Sequence, residues 1–299
     1  MSSLRTVVFS IGVRMIDGTG YLGCLVFLFG RFRFSIENCE EKDFSASNSW
    51  TEYLADGDAG HRLIVQKNDT PWESFDESSR WIREIDETTT RILFQSGKSE
   101  LFSISYGMDG RDFTVASEHS GKALLRAIQF ALMTAWADRA LGIHAVTVLV
   151  GDQAILLSAH SGTGKSTLAR LLHRYCEAAT VNGDFALVSV DTTEGAYFEP
   201  TPFCGSSGIC KNHRFSIDRI VFLEQAKENE WRDLRPNEGY ARLLENLFVP
   251  DFDEKRCGQV LENAMKLIER VPASIFRFRP DEDAAKLFYD SVSRRQQQD

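Results

Sequence analysis

The chain has no paired cysteine framework, no apolar run long enough to span a bilayer, no proline- or glycine-rich tract and no surplus of positive charge. Six cysteines (Cys24, Cys39, Cys176, Cys204, Cys210 and Cys257) are scattered over 299 residues, a usage that reads as free thiols in a reducing compartment. The longest apolar run, residues 21–29, is about half of the roughly 20 residues that a spanning helix needs. The N-terminus shows no charged region followed by a continuous apolar segment. Together these predict a cytoplasmic protein with no membrane partner. A formal charge of −9 works against holding a phosphate backbone, which takes clustered Lys and Arg, and excludes nucleic acid as an expected partner. Cys204, Cys210 and His213 lie close in sequence but lack a fourth ligand and the usual short cysteine spacing, so they are not read as a metal site.

What is present is an ordinary globular composition, 43% hydrophobic and 26% charged, in a chain long enough for two domains. Residues 1–118 alternate short β-rich runs, such as 6–13, 22–29, 91–95 and 100–105, with polar turns, which predicts a mostly antiparallel domain. Over residues 122–141 the apolar positions Leu124, Leu125, Ile128, Leu132, Ala135 and Trp136 follow a helical period. This stretch is read as a bridging helix within 119–141.

Residues 142–293 form the second expected domain, with 294–299 a frayed tail. Strands at 143–150 and 154–158, separated by Gly151 and Asp152, predict a hairpin. A helix at 165–176 follows, then strands near Thr180 and at 186–190, 197–199 and 217–223. Helices are expected at 237–248 and 254–270, a strand at 274–278, and a last helix capped by Asp281. Hairpins around a glycine-rich loop are not the strand-helix alternation of a parallel doubly wound sheet. The fold class is therefore α+β or mixed α/β, with a mixed sheet behind a β-rich N-terminal domain.

The sharpest motif is Ser161-Gly162-Thr163-Gly164-Lys165-Ser166-Thr167, between an apolar strand and an amphipathic helix, which is the setting of a Walker A P-loop. Gly162 and Gly164 let backbone N–H groups close around phosphate oxygens, and the helix N-terminus adds positive charge. Lys165 is a point charge for the β- and γ-phosphates, and the Ser166 hydroxyl is a magnesium ligand. Thr167 extends the helix start. Ala159 stands where the first glycine usually does, which a negative φ permits. Asp184, an early acid after the P-loop helix, is the candidate second magnesium ligand or base. Asn182-Gly183-Asp184 is also good turn chemistry. His144 lies on the strand paired with the one feeding the loop and is either a site residue or a satisfied core histidine. His160 is expected to face solvent. Alternating Arg277 and Arg279 with phenylalanine reads as one polar and one buried strand face.

Gly142-Ile143-His144-Ala145, residues 161–167 and Asn182-Gly183-Asp184 together resemble the HPr kinase/phosphorylase superfamily, whose relatives include lasso-peptide kinases and whose core is related to ATP-dependent phosphoenolpyruvate carboxykinase. The resemblance covers about residues 142–219 by motif and extends toward 289 by pattern. It implies that His144 and Asp184 are site residues, that the core is a P-loop kinase fold and that ATP with Mg²⁺ is used. Gly183 stands where HPr kinases have the first of two aspartates, and their C-terminal glycine-rich signature is missing, so HPr itself is not the expected substrate. Residues 205–208 fall where relatives place a glycine-bearing loop near the site.

The expected function is a kinase that moves the γ-phosphate to a hydroxyl of a peptide, protein or small molecule, with catalytic Lys165, Asp184 and His144 and metal ligands Ser166 and Asp184. A nucleotide-gated binding module without transfer is the competing expectation, kept alive by Gly183. Gly183→Asp should raise the activity of a kinase and leave a binding module indifferent or weaker for nucleotide. The acceptor, the donor nucleotide and a homo-oligomeric state stay open.

Overall fold

The computed structural model describes residues 12–14, 22–37, 61–67, 81–85, 89–96, 100–107, 112–117, 122–191 and 195–293. The chain divides into two compact units, Met1–Ala135 and Trp136–Asp299, each with its own mixed sheet. It is a mixed α+β protein.

The first unit contains eight described strands: β1 (Gly12–Arg14), β2 (Leu22–Phe29), β3 (Phe32–Glu37), β4 (His61–Lys67), β5 (Trp81–Ile85), β6 (Thr89–Ser96), β7 (Glu100–Gly107) and β8 (Asp112–Ser117). Their order is β1-β2-β3-β4-β8-β7-β6-β5. Pairing is antiparallel except at β3–β4 and β4–β8. The predicted strand at 6–13 lies mostly outside the described residues. Helix α1 (Lys122–Ala135) packs on β7, β8 and β4, burying Leu124, Ala127, Ile128, Ala131 and Leu132 at helical spacing.

The helix expected to reach Leu141 stops at Ala135. The N–H groups of Arg139 and Ala140 both donate to the carbonyl of Trp136, closing a turn. Ala140 and Leu141 already belong to β9 (Ala140–Val150), where they pair with Ser189 and Val188. Apolar periodicity could not show this, because pairing with a strand some fifty residues on overrides a local helical pattern.

The second unit is built on β9, β10 (Gln153–Ser158), α2 (Lys165–Cys176), β11 (Ala179–Asn182), β12 (Phe185–Asp191), β13 (Gly195–Glu199), β14 (Phe215–Ser216), β15 (Arg219–Gln225), β16 (Glu230–Asp233), α3 (Pro236–Leu244), α4 (Glu254–Arg270), β17 (Ala273–Phe278) and α5 (Glu282–Ser293). The sheet runs β14-β13-β12-β9-β10-β15-β17-β16, with β11 also on β9. β9 and β10 form the expected hairpin, Ser158 opposite Ala145. β10, β15 and β17 run parallel.

These parallel strands are apolar at nearly every position because helices cover both faces. Leu156, Ile220 and Phe222 enter one core with Val260, Ala264 and Leu267 of α4. Ile155, Leu157, Val221 and Leu223 enter the other with Leu168 and Leu172 of α2 and Phe288 of α5. Asp281 caps α5 as expected, its Oδ1 accepting from the Ala284 N–H at 2.9 Å. α3 ends at Leu244, short of Phe248, because residues 246–248 leave the helix to lie along β9. His144 N–H donates to Asn246 O and Phe248 N–H to Gly142 O, both at 2.8 Å. Among the described residues no helix is long and apolar enough to cross a membrane.

Candidate functional site

β10 ends at Ser158, at the carboxyl edge of the parallel strands, where open α/β sheets hold their ligands. The chain turns through residues 159–164 into α2. Glu177 is the one described non-glycine residue with positive φ, so Ala159 occupies the usual glycine position without backbone strain. Gly162 and Gly164 have φ of 82° and 114°, conformations that cost a side-chain-bearing residue energy. A Cβ on Gly164 would also lie 3.1 Å from the Phe278 ring. No side chain caps the N-terminus of α2, leaving its first N–H groups open to a ligand.

Lys165, 7% exposed, folds back onto the loop, its Nζ donating to the carbonyls of Ala159 at 2.6 Å and His160 at 3.2 Å. Burial pushes its ammonium below the ordinary lysine range, and the charge of Asp184 partly opposes that shift. Ser166 is exposed at the helix start, and the Thr167 hydroxyl accepts from Arg170 at 3.4 Å. The loop carries open backbone donors, one buried cation and a free hydroxyl. That donor set fits an anion with a bound metal.

His144, in the middle of β9, and Asp184, just ahead of β12, come together, His144 Nε2 3.4 Å from Asp184 Oδ1. Both are partly exposed. Asp184 reaches this place through the turn chemistry of its own segment. The buried Asn182 side chain accepts from the N–H groups of Asp184 and Phe185, each at 3.0 Å, and Ala145 N–H donates to Asp184 O at 3.1 Å. The turn reading and the site reading of Asn182-Gly183-Asp184 are thus both met by one arrangement.

Gly183 is explained by its neighbours. A Cβ there would fall 1.8 Å from Ser207 Oγ and 2.7 Å from Ser207 Cβ. Ser207 belongs to the turn Gly205–Ser207, its hydroxyl donating to Cys204 O at 2.8 Å and accepting from Ile209 N–H at 3.2 Å. A Cβ on Gly205 would in turn meet Asp184 Cβ at 2.6 Å. The 204–208 turn therefore seats directly against Gly183 and Asp184. This corrects the expected use of Gly183→Asp as a discriminator: the new side chain would displace the turn before its carboxylate could act.

On the β15 side of the loop lies a cavity of about 590 Å³ lined by residues 158–163, 222–225, Arg242, Glu245 and Asn246. Glu224 is held from both sides, its Oε2 accepting from Arg277 Nε at 2.9 Å and its Oε1 lying 2.6 Å from Arg242 Nη1. The hydrogen bond from Arg277 and the contact with Arg242 lower its carboxyl below the usual range against a burial effect that raises it. His160 is exposed as expected, and its Nε2 lies 3.4 Å from Glu245 Oε2. Gln225 Nε2 donates to the carbonyls of Gly162 and Thr163 at 3.3 and 3.4 Å.

Sequence reasoning missed Gln225, Arg242, Glu245 and Asn246, none of which sits in a local motif; Glu224 and Ser207 lie in stretches that the resemblance touched, 220–224 and 205–208, without either side chain being given a role. Arg277 lies on the polar strand face as read, paired with Glu224 and Glu230, while Phe276 and Phe278 are buried. Cys204 donates to Pro202 O, and His213 packs on Phe215 with ring centroids 4.7 Å apart. Among the described residues no group of three or more His, Cys, Asp or Glu could hold a metal ion.

No protein-family model matches the chain, and no curated protein matches it. Among solved structures it is similar to the Hpr(Ser) kinase/phosphatase from Coxiella burnetii, at 13% identity and a TM-score of 0.28, over 52% of this chain and 91% of that one.

Proposed function

We propose that the chain is an ATP- and Mg²⁺-dependent kinase acting on a hydroxyl acceptor, with residues 159–167 as its P-loop. The observation that carries this reading is that β10 ends at Ser158, opposite Ala145 and with its hydroxyl donating to His144 O at 3.3 Å, so the Lys165 loop leaves the sheet beside the His144–Asp184 pair. The sequence resemblance to HPr kinase-like proteins supports it from the same residues. Lys165 would leave its contacts with the Ala159 and His160 carbonyls to neutralise phosphate oxygens, while backbone N–H groups of Gly162 and of 164–166 would cradle them. Magnesium would be held by Ser166 and Asp184 and would supply charge neutralisation.

The acceptor proton passes to Asp184 or to the His144 imidazole, either of which can act as a base. Their contact lets either hold the other in place. As the acceptor oxygen bonds to the γ-phosphorus, the bond to the β-bridging oxygen breaks and ADP leaves.

One observation favours the second reading, a nucleotide-gated binding module: Ser207 fills the space of a residue-183 side chain, so the turn holds a single carboxylate. The test is transfer of radiolabelled γ-phosphate from ATP to candidate peptide and small-molecule hydroxyls. Label on an acceptor that disappears in Asp184→Asn establishes the kinase. ATP binding with no transfer to any acceptor supports the module.

A further inference from the structure

Most carbonyl oxygens of the loop are turned toward donors of the protein itself, and one of those donors comes from a distant strand. Lys165 Nζ takes the carbonyls of Ala159 and His160, and His160 O also accepts from Thr163 N–H at 3.3 Å. Gly164 O takes the Leu168 N–H at 2.9 Å, the first bond of α2. The carbonyls of Gly162 and Thr163 both accept from Gln225 Nε2, at 3.3 and 3.4 Å. Gln225 is the last residue of β15.

The sheet fixes where Gln225 stands. It pairs with Phe278 at the end of β17, whose carbonyl accepts from Ala226 N–H at 3.0 Å. Phe278 is buried and stacks on Phe276, and its ring lies against Gly164, where a Cβ would fall 3.1 Å away. The ends of β15 and β17 therefore meet residues 162–164 by one polar and one apolar contact.

A trans peptide is planar and points its N–H opposite its C=O. The peptide that carries Thr163 O also carries the Gly164 N–H, so a donor at Thr163 O turns that N–H away from β15. Local sterics do not fix this plane. It turns about the φ of Gly164, 114° here, and glycine accepts either sign. Reversed, the peptide would set a carbonyl oxygen where a phosphate needs a donor. A glutamine amide suits the task, because its NH₂ offers two donors, one for each carbonyl, and adds no charge beside an anion.

We infer that Gln225 is a positioning residue of the phosphate loop: its amide holds the Gly162 and Thr163 carbonyls toward β15 and so keeps the Gly164 N–H aimed at the bound anion. This inference rests on the proposed triphosphate binding at the loop. Gln225 acts through the Gly164 peptide and not by contact with the nucleotide.

The test is calorimetric titration of the full chain, with magnesium, by inorganic triphosphate and by ATP, on wild type, Gln225→Met and Gln225→Lys. Heteronuclear NMR spectra of glycine-labelled protein accompany it. Methionine keeps the length of the side chain and removes the donor, and lysine restores a donor. Losing the aimed Gly164 bond to a charged oxygen should weaken triphosphate at least about tenfold in Gln225→Met, and ATP by the same factor, since only phosphates are involved. Gln225→Lys should bind at least as tightly as wild type. Both variants should keep the wild-type Tm, because residue 225 is exposed. Saturating triphosphate should move the Gly164 amide proton downfield in wild type and leave it in place in Gln225→Met. Wild-type affinity in Gln225→Met, an equal loss in both variants, a loss confined to ATP, or a Gly164 shift that persists in Gln225→Met each overturn the inference and leave the phosphate loop standing. Failure of wild type to bind either ligand defeats the phosphate-loop reading, and this inference with it.

Discussion

Lys165 shows at the scale of one residue how a binding site costs stability. Its ammonium is buried against two carbonyls, with Asp184 as the opposing charge, and burial holds its pKa below the ordinary lysine value. For a lysine, a folded pKa below the unfolded one means that the unfolded chain binds more protons between the two values. Stability contributed by this group therefore rises as pH increases through that window and is lowest where the buried cation is fully charged. Lys165→Met removes the desolvated charge. Differential scanning calorimetry at pH 7 should give a Tm at or above wild type, although the variant has lost the group that binds phosphate. A Tm well below wild type would show that the lysine holds the loop together. The same scale explains what could be read early. Lys165, Ser166 and the glycines announce themselves by spacing, because six consecutive backbone groups must turn around one anion. Asn246 announces nothing, since its place beside the loop is set by β9, where the His144 N–H donates to its carbonyl, and nothing local shows that Ser207 seats against Gly183.

Among the elements, those bounded by local chemistry were legible. α2 and α4 have the predicted limits, and the β9–β10 hairpin turns at Gly151 and Asp152. β16 was not legible, because three of its four residues are exposed and its strand character comes from pairing with β17. The ends of α1 and α3 were overrun for the same reason: β9 claims residues 140–141 and the edge contacts of 246–248. α3 matters because it carries Arg242 to the cavity and ends beside Glu245. Its first turn is tied by Glu238, whose Oε2 accepts from Arg235 N–H at 3.1 Å and whose Oε1 accepts from Arg232 at 3.1 Å. That backbone hydrogen bond, with help from the Arg235 and Arg232 side chains, lowers the Glu238 carboxyl from 4.5 to about 2. A depressed carboxylate contributes stability that is present above the unfolded pKa and is lost as pH falls from about 4.5 toward 2. Acid unfolding followed by circular dichroism should therefore show a shallower loss over that window in Glu238→Gln, which starts from lower stability at pH 7. Identical acid profiles would show that the tie contributes nothing.

On the scale of the whole molecule, every candidate site residue lies in the Trp136–Asp299 unit, and the sheet order explains their meeting. β9 is flanked by β12 and β10, and β10 by β15, so the middle of β9 with the start of β12, the end of β10 and the end of β15 deliver in turn the His144–Asp184 pair, the loop and the cavity wall. The sequence resemblance covered the first two of these by contiguous motifs and reached the third only by pattern, because that wall is assembled from β15 and α3. The central claim is that the loop binds a nucleoside triphosphate through Lys165. Calorimetric titration of the full chain with ATP and magnesium, beside Lys165→Met of equal or greater thermal stability, measures it directly. Saturable binding by wild type that is lost in the variant is the predicted result. Failure of wild type to bind, or retention of full affinity by Lys165→Met, would contradict it.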